Sequence, residues 1–184
     1  NAMDKIEAAA KNRGSVTGIP TGFLDLDYRT AGLQPSDLIL IAGRPSMGKT
    51  AFVLNLARYA AFKKELTVAI FSLEMSKEQL VNRMLSMESS VDSQKLRTGQ
   101  MNDQEWEKLI ESAGVIGKSA LIIDDTPGIS IAELRSKCRK YKLEHNLSMI
   151  MIDYLQLMTG SGKQESRQQE ISDISRSLKA VARE

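Results

Sequence analysis

One eight-residue run, residues 43–50, constrains this sequence more than any other feature. It reads GRPSMGKT and matches the GxxxxGK[ST] pattern at every required position. Residues 38–42, LILIA, precede it, and this continuous apolar run predicts a short strand buried on both faces. A helical pattern follows. The sequence therefore predicts a strand, a tight glycine turn and a helix, which is the setting of a phosphate-binding loop.

The residue types in this run suit the phosphates of a nucleotide. Its glycines let successive backbone amides point toward one anion at the positive end of the following helix. Lys49 supplies a mobile positive charge for the terminal phosphates, and Thr50 supplies a hydroxyl ligand for Mg²⁺. ATP and Mg²⁺ are therefore the predicted cofactors. A chance glycine turn with a lysine at a helix start is the competing explanation, and the flanking elements argue against it.

The rest of the sequence alternates strand and helix patterns. Further short apolar runs occur at residues 67–73, 120–123 and 148–152. Three capping pairs predict helix starts between and after them: Ser76 with Gln79, Asn102 with Glu105, and Ser130 with Glu133. This alternation predicts an α/β fold, with a mainly parallel sheet covered by helices on both faces.

Two of the predicted helices carry apolar residues at helical spacing, which should face the core. In the helix after Asn102 these are Trp106, Leu109, Ile110 and Ala113. In the helix after Ser130 they are Ile131, Leu134, Cys138 and Tyr141.

Length and composition indicate one domain and narrow its setting. The 184 residues are enough for one substantial core, and the net charge of +2 means that any DNA contact must be local. A single cysteine excludes an intrachain disulfide and fits a cytoplasmic protein. We expect no membrane-spanning helix, because no apolar run approaches the required length of about 20 residues. Residues 1–3, NAM, have the pattern of a cloning scar.

An ATP-hydrolysing site of this kind also needs carboxylates at neighbouring strand ends. Asp124 and Asp153 both end apolar runs, and the pattern alone leaves open which of them lies near Mg²⁺. Tyr154 follows Asp153 where many such sites have glutamate, so the water-activating carboxylate must lie elsewhere. Glu74, after the run at residues 67–73, is the candidate, with a solvated glutamate as the alternative.

Four blocks, in order, carry a family resemblance: residues 17–27, TGIPTGFLDLD; residues 43–50; residues 71–76, FSLEMS; and residues 153–157, DYLQL. Together they resemble the bacterial replicative helicase family DnaB, specifically the RecA-like motor domain of its C-terminal half. The resemblance implies a RecA-like P-loop NTPase that is incomplete at its C-terminus. It divides the chain into residues 4–22, a linker helix and a loop that leads into the domain, and residues 23–184, a RecA-like ATPase domain truncated before its last strands.

The resemblance also implies roles for individual residues. Glu74 and Lys49 are the predicted catalytic residues, and Thr50 and Asp153 are the predicted metal-site residues. Arg83 is predicted to reach the nucleotide, although an exposed helix arginine is the alternative. The predicted nucleotide-binding residues are Gly43, Ser46, Met47, Gly48, Lys49, Thr50, Ala51 and Arg83.

The function implied is that of an ATP-dependent DNA helicase that translocates on single-stranded DNA. The expected partners are single-stranded DNA, further copies of the chain in a homohexamer, primase and a helicase loader. A phosphate sensor and an arginine finger would lie beyond Glu184, so this chain alone should bind nucleotide but hydrolyse it slowly and not unwind DNA. A recombinase-like ATPase of the RecA or RadA type, a P-loop kinase and a nucleotide-dependent assembly module are the alternatives.

Two basic segments are candidates for DNA contact. Residues 160–163, GSGK, with Arg167 form either a strand-gripping loop or a connector, and we favour the connector. The cations of residues 135–142 recur at helical spacing, which favours a solvated helix face.

Overall fold

A short apolar strand lies at the centre of the fold. In the computed structural model, which describes residues 1–11, 16–160 and 166–184, β1 (Val68–Ser72) is buried along its whole length. β2 (Leu121–Asp124) pairs with one side of β1 and β3 (Met149–Asp153) with the other. Both pairings are parallel, and the strand order is β2-β1-β3. The predicted parallel α/β sheet is confirmed, with strand ends shifted by one residue.

Helices fill the segments between the strands. The helix at Lys49–Arg58 continues into a π-helical turn at Tyr59–Lys63, and a 3-10 turn at Leu155–Leu157 follows β3. The α-helices of the described residues are α1 (Ala2–Lys11), α2 (Leu24–Thr30), α3 (Lys49–Arg58), α4 (Lys77–Ser89), α5 (Ser93–Thr98), α6 (Asp103–Lys118), α7 (Ile131–His145) and α8 (Arg167–Arg183).

Alternate residues of β1 divide the apolar interior into two layers. Val68 and Ile70 pack with residues of α3 and α4 on one face of the sheet. Ala69 and Phe71 pack with residues of α7 and α8 on the other face. Successive side chains of a strand point to opposite faces, so a strand that is apolar at every position needs a helical layer on each side. Helices on both faces are therefore confirmed.

The prediction of a strand at residues 38–42 is wrong for this structure. The segment belongs to no strand, and no described strand pairs with it. Leu40 is 68% exposed, and Ile39 and Ile41 line an open cavity of about 360 Å³ beside Phe52. An apolar run indicates burial, but a strand also requires a neighbour that accepts and donates its backbone hydrogen bonds, and the run itself does not specify one.

The capping pairs mark three helix starts as predicted. Ser76 and Asn102 each form the reciprocal capping box, with Gln79 and Glu105 respectively. Ser130 accepts a hydrogen bond from the backbone N–H of the third residue of α7 without the reciprocal bond. Each serine or asparagine oxygen satisfies a backbone amide that the first helical turn leaves without a partner.

The predicted core face of α6 is wrong in part. Trp106, Ile110 and Ala113 are exposed, whereas Ser112 is buried and Leu109 is half-buried. The helix packs against α4 through a face that contains this small residue, and the Ser112 hydroxyl donates to the backbone carbonyl of its own helix at 2.8 Å. A serine satisfied in this way is tolerated in a helix interface, which a purely apolar pattern does not predict.

The predicted core face of α7 is confirmed. Leu134 and Cys138 are buried, and Ile131 and Tyr141 are partly buried against the same layer. Burial, which disfavours the thiolate, is the main reason that the pKa of Cys138 is raised to about 12.

The glycine-rich segment at residues 160–163, which we predicted to be a connector with a strand-gripping loop as the alternative, lies mainly outside the described residues, because only Gly160 of it is described. Arg167, its predicted companion, begins α8 and pairs with Glu170. Among the described residues, no helix combines the length and apolar character needed to cross a membrane.

Candidate functional site

The loop at residues 43–50 forms a tight turn before α3. Ser46 and Gly48 both have positive φ values, of 65° and 83°, and Gly48 is the residue before the first helical residue. A left-handed conformation at this point reverses the chain direction so that α3 starts directly at Lys49. The loop is exposed, including Gly43 and Met47. Its exposure leaves the anion-binding end of α3 accessible to a ligand.

The first turn of α3 presents backbone amides that have no partner within the helix. The hydrogen bond that starts α3 runs from the Phe52 amide to the Gly48 carbonyl, at 2.9 Å. The amides of Lys49, Thr50 and Ala51 therefore belong to the orphan set of a helix N-terminus. Such a set, at the positive end of the helix dipole, favours a phosphate.

Thr50 and Asp153 are brought together by the fold. The Thr50 hydroxyl donates a hydrogen bond of 2.9 Å to Oδ2 of Asp153, across 103 residues of sequence. Asp153 ends β3 and is only 4% exposed. A carboxylate and a hydroxyl that touch at the mouth of a phosphate loop are hard oxygen donors, which suit Mg²⁺ when the nucleotide's phosphates complete its ligands.

Asp124, the other strand-end aspartate, has different partners. Its carboxylate accepts hydrogen bonds from Lys137 Nζ at 2.7 Å and from the Thr126 amide at 2.9 Å. Burial alone would raise the pKa of Asp124, but these hydrogen bonds outweigh it and hold the pKa below its usual value. The geometry thus gives Asp124 a role in the ion pair with α7 and leaves Asp153 beside the phosphate loop.

Glu74 lies in the short loop between β1 and α4, next to the end of β3. Ser72 pairs with Asp153 in the sheet, and the Leu73 amide donates to the Asp153 carbonyl at 2.9 Å. Glu74 is the next residue, and its side chain is exposed. The loop therefore begins at the same strand tips that hold the Thr50–Asp153 pair.

The side chain of Lys49 contacts the aromatic ring of Tyr154. From the sequence, Tyr154 was considered only as the residue that replaces a glutamate after Asp153. The Nζ of Lys49 lies 4.7 Å from the centroid of the Tyr154 ring. A cation over a ring face at this distance is attracted by the ring's quadrupole. Tyr154 follows Asp153 directly, so the residue in place of a glutamate contacts the lysine of the phosphate loop.

Arg83 lies in the middle of α4 and is exposed. This position matches the alternative of a solvated helix arginine, and its predicted reach to a nucleotide stays a prediction. Sequence reasoning also missed Ser72 and Asp125, which make hydrogen bonds on either side of Glu74. No local pattern marks either residue, because each acts through a contact that only the folded loop creates.

Comparison with known sequences decides the family. Residues 18–184 match the sequence model of the DnaB-like helicase C terminal domain. The chain belongs to this family. The DnaB-family chain is 54% identical, over 98% of its length, to the replicative DNA helicase DnaC of Bacillus subtilis (strain 168) and likewise 54% identical to the replicative DNA helicase DnaB of Geobacillus stearothermophilus. It spans 40% of the length of each of these relatives.

Solved structures support the same assignment. The DnaB-family chain superimposes with a TM-score of 0.90 on a DnaB-like replicative helicase described together with its interactions with primase, at 36% identity, covering 99% of this chain and 44% of that one. It superimposes with a TM-score of 0.92 on a second solved structure, an ATPase domain, again at 36% identity, covering 99% of this chain and 66% of that one. The predicted family is confirmed, and the recombinase and kinase alternatives are not favoured.

Proposed function

We propose that this chain is the ATP-binding and ATP-hydrolysing motor domain of a replicative DNA helicase, which unwinds duplex DNA by translocating on single-stranded DNA. The observation that carries the proposal is the hydrogen bond between Thr50 of the phosphate loop and Asp153 of β3. It brings the two predicted Mg²⁺-site residues into contact in a chain of the DnaB-like family, which supports the proposal.

Different residues of the site have different roles in hydrolysis. The orphan amides at the start of α3 bind the phosphates, and Lys49 moves from the Tyr154 ring to the terminal phosphates. Glu74 accepts a proton from water as the water oxygen attacks the terminal phosphorus and the bond to ADP breaks. Positioning and charge neutralisation supply most of the rate in this class of reaction.

Thr50 and Asp153 would hold the Mg²⁺ ion of the nucleotide. The ion neutralises charge on the phosphate oxygens when it is bound. Asp153 is buried and already in contact with the Thr50 hydroxyl, so the pair offers oxygen donors held in place before a ligand arrives. Arg83 is proposed to contact the same nucleotide from α4.

The proposed partners follow from the relatives. Single-stranded DNA is the proposed track, because the relatives are replicative DNA helicases. Primase is a proposed partner, because one structural relative is described with its interactions with primase. A homohexameric ring, a helicase loader and a cytoplasmic location complete the proposal and rest on the family resemblance.

A matched pair of aspartate variants in the full-length protein tests the site. Asp153→Asn should abolish Mg²⁺-dependent ATP hydrolysis and DNA unwinding, because the substituted amide is a poorer metal ligand. Asp124→Asn removes the equivalent carboxylate from the other outer strand and should retain both activities at a temperature where the protein stays folded. The readouts are phosphate release with and without single-stranded DNA, and strand separation by fluorescence.

The outcome that contradicts the assignment is also specific. If Asp124→Asn stops hydrolysis while Asp153→Asn does not, the site has been placed on the wrong strand. If single-stranded DNA fails to stimulate the wild-type ATPase, the motor proposal fails while nucleotide binding can still hold. Glu74→Gln separately tests the water-activating role, since it should bind ATP and not hydrolyse it.

A further inference from the structure

The loop that carries Glu74 is exposed, so burial does not determine where this side chain points. Residues 73–76 connect β1 to α4, and Glu74 itself faces solvent. General-base catalysis requires a carboxylate held within hydrogen-bond reach of the attacking water. Other contacts must therefore fix the loop.

On the β1 side the loop is fixed by two hydrogen bonds. The Leu73 amide donates to the Asp153 carbonyl at 2.9 Å. The buried Ser72 hydroxyl donates to the Met75 carbonyl at 2.7 Å and closes the turn around Glu74. The first bond joins the loop to β3, and the second joins the loop to the end of β1.

On the α4 side the loop is fixed from a different strand. Oδ2 of Asp125 accepts a hydrogen bond of 2.8 Å from the Lys77 amide, the first amide of α4. The capping box at Ser76 and Gln79 satisfies the amides of those two residues and does not reach Lys77. Asp125 therefore fills a position that local capping leaves open, and its negative charge suits the positive end of the helix.

Asp125 is itself anchored through its neighbours. It follows Asp124, the last residue of β2, whose backbone pairs with Phe71 of β1. The hydrogen bond to Lys77 thus connects the start of α4 to a fixed point at the tip of β2. Glu74 lies between this point and the attachment of Leu73 to β3.

We propose that Asp125 is a positioning residue that holds the Glu74 loop in its catalytic geometry by tying the start of α4 to the end of β2. The inference rests on the proposed function of Glu74. Asp125 makes no hydrogen bond to the described phosphate-loop residues, so it acts through the loop and α4. Its loss lets the helix start move and lowers the rate of the hydrolytic step more than the affinity for nucleotide.

The experiment compares three variants of the full-length protein. Asp125→Ala removes the acceptor, and Asp125→Asn keeps an oxygen that can accept from the Lys77 amide. Asp92→Ala is the matched control, because Asp92 accepts a 2.7 Å hydrogen bond from the Gln94 amide and caps α5, beyond the other end of α4. Steady-state kcat and KM for ATP, with single-stranded DNA present, are measured beside thermal unfolding.

We expect Asp125→Ala to lower kcat about ten-fold or more, since small displacements of a catalytic group have effects of this size. KM for ATP should change little, and Asp125→Asn should recover most of the rate. Asp92→Ala should lower thermal stability in a similar way and leave kcat unchanged. A wild-type kcat for Asp125→Ala, or an equal loss of kcat for Asp92→Ala, overturns the inference.

Glu74→Gln separates this inference from the function on which it rests. If Glu74→Gln hydrolyses ATP at the wild-type rate, the role of Glu74 is wrong and Asp125 has nothing catalytic to position. If Glu74→Gln is inactive and Asp125→Ala is fully active, the role of Glu74 stands and only the role of Asp125 is wrong.

Discussion

Removal of the Asp27 carboxylate should destabilise the part of the fold that leads into α2. Asp27 is buried, and its Oδ1 accepts from both the amide and the hydroxyl of Thr21, at 2.8 and 2.7 Å. Its Oδ2 accepts from the Gly22 amide at 3.2 Å. These residues belong to the conspicuous run at residues 17–27, and the contacts show that the side chains of Thr21 and Asp27 stabilise a turn before α2.

The size of the destabilisation depends on which hydrogen-bond donors lose their acceptor when Asp27 is replaced. Thr21 is 2% exposed, so Asp27→Ala leaves two donors buried, each at a cost of about 1–3 kcal/mol. The hydroxyl has a second acceptor in the Phe23 carbonyl, at 3.5 Å, which lowers the total to about 2–4 kcal/mol. Asp27→Asn keeps Oδ1 and disturbs only the bond to Gly22, whose exposed amide can turn to water. It should cost about 1 kcal/mol.

Urea denaturation of the 184-residue chain, followed by far-ultraviolet circular dichroism, measures these differences. Asp25→Ala is the control, because Asp25 is exposed on the same helix and should change the free energy of unfolding by less than about 0.5 kcal/mol. The reasoning is refuted if Asp27→Ala is as stable as Asp25→Ala, or if Asp27→Asn is as destabilised as Asp27→Ala.

Two further perturbations test other parts of the structure. Gly22→Ala should lower the free energy of unfolding in urea by about 2–4 kcal/mol, because φ is +86° and the new Cβ would lie 2.7 Å from the Tyr59 ring. Gly99→Ala is the control: φ is +72° there but the space is open, so it should lower the free energy of unfolding by only about 1–2 kcal/mol. Asp124→Asn removes the ion pair with Lys137, which lowers the pKa of the wild-type carboxyl in the folded protein. The stabilisation by this ion pair is therefore complete above the unfolded-state pKa of about 3.9 and is lost as the pH falls through the folded-state pKa. The stability difference between wild type and variant should therefore be constant from about pH 5 to 8 and shrink below about pH 4, and a difference that grows toward acid would contradict this sign.

Local signals in the sequence predicted the fold class and several local structures well. The run at residues 43–50 predicted the turn that precedes α3, and the capping pairs beginning at Ser76 and Asn102 predicted two helix starts. These features are determined by backbone conformations and hydrogen bonds among residues a few positions apart. The four sequence blocks also identified the family that the comparisons confirm.

Some predictions that depended on a partner elsewhere in the chain were wrong. The apolar residues 38–42 have the composition of a buried strand, but no described strand pairs with them. Trp106 and Ile110 of α6 are exposed, whereas Ser112 is buried in the helix, which packs against α4. Hydrophobicity alone does not specify which neighbour an element meets.

For this protein, the sequence by itself determined the tight turn at residues 43–50, the alternation of strands and helices and the family, because each depends on short-range sequence patterns. Only the tertiary structure showed which side chains the two strand-end aspartates contact. β3 brings Asp153 to the Thr50 hydroxyl, while β2 brings Asp124 to Lys137. Which side chains meet depends on strand order and register over more than 100 residues of chain, and the sequence of a single strand specifies neither.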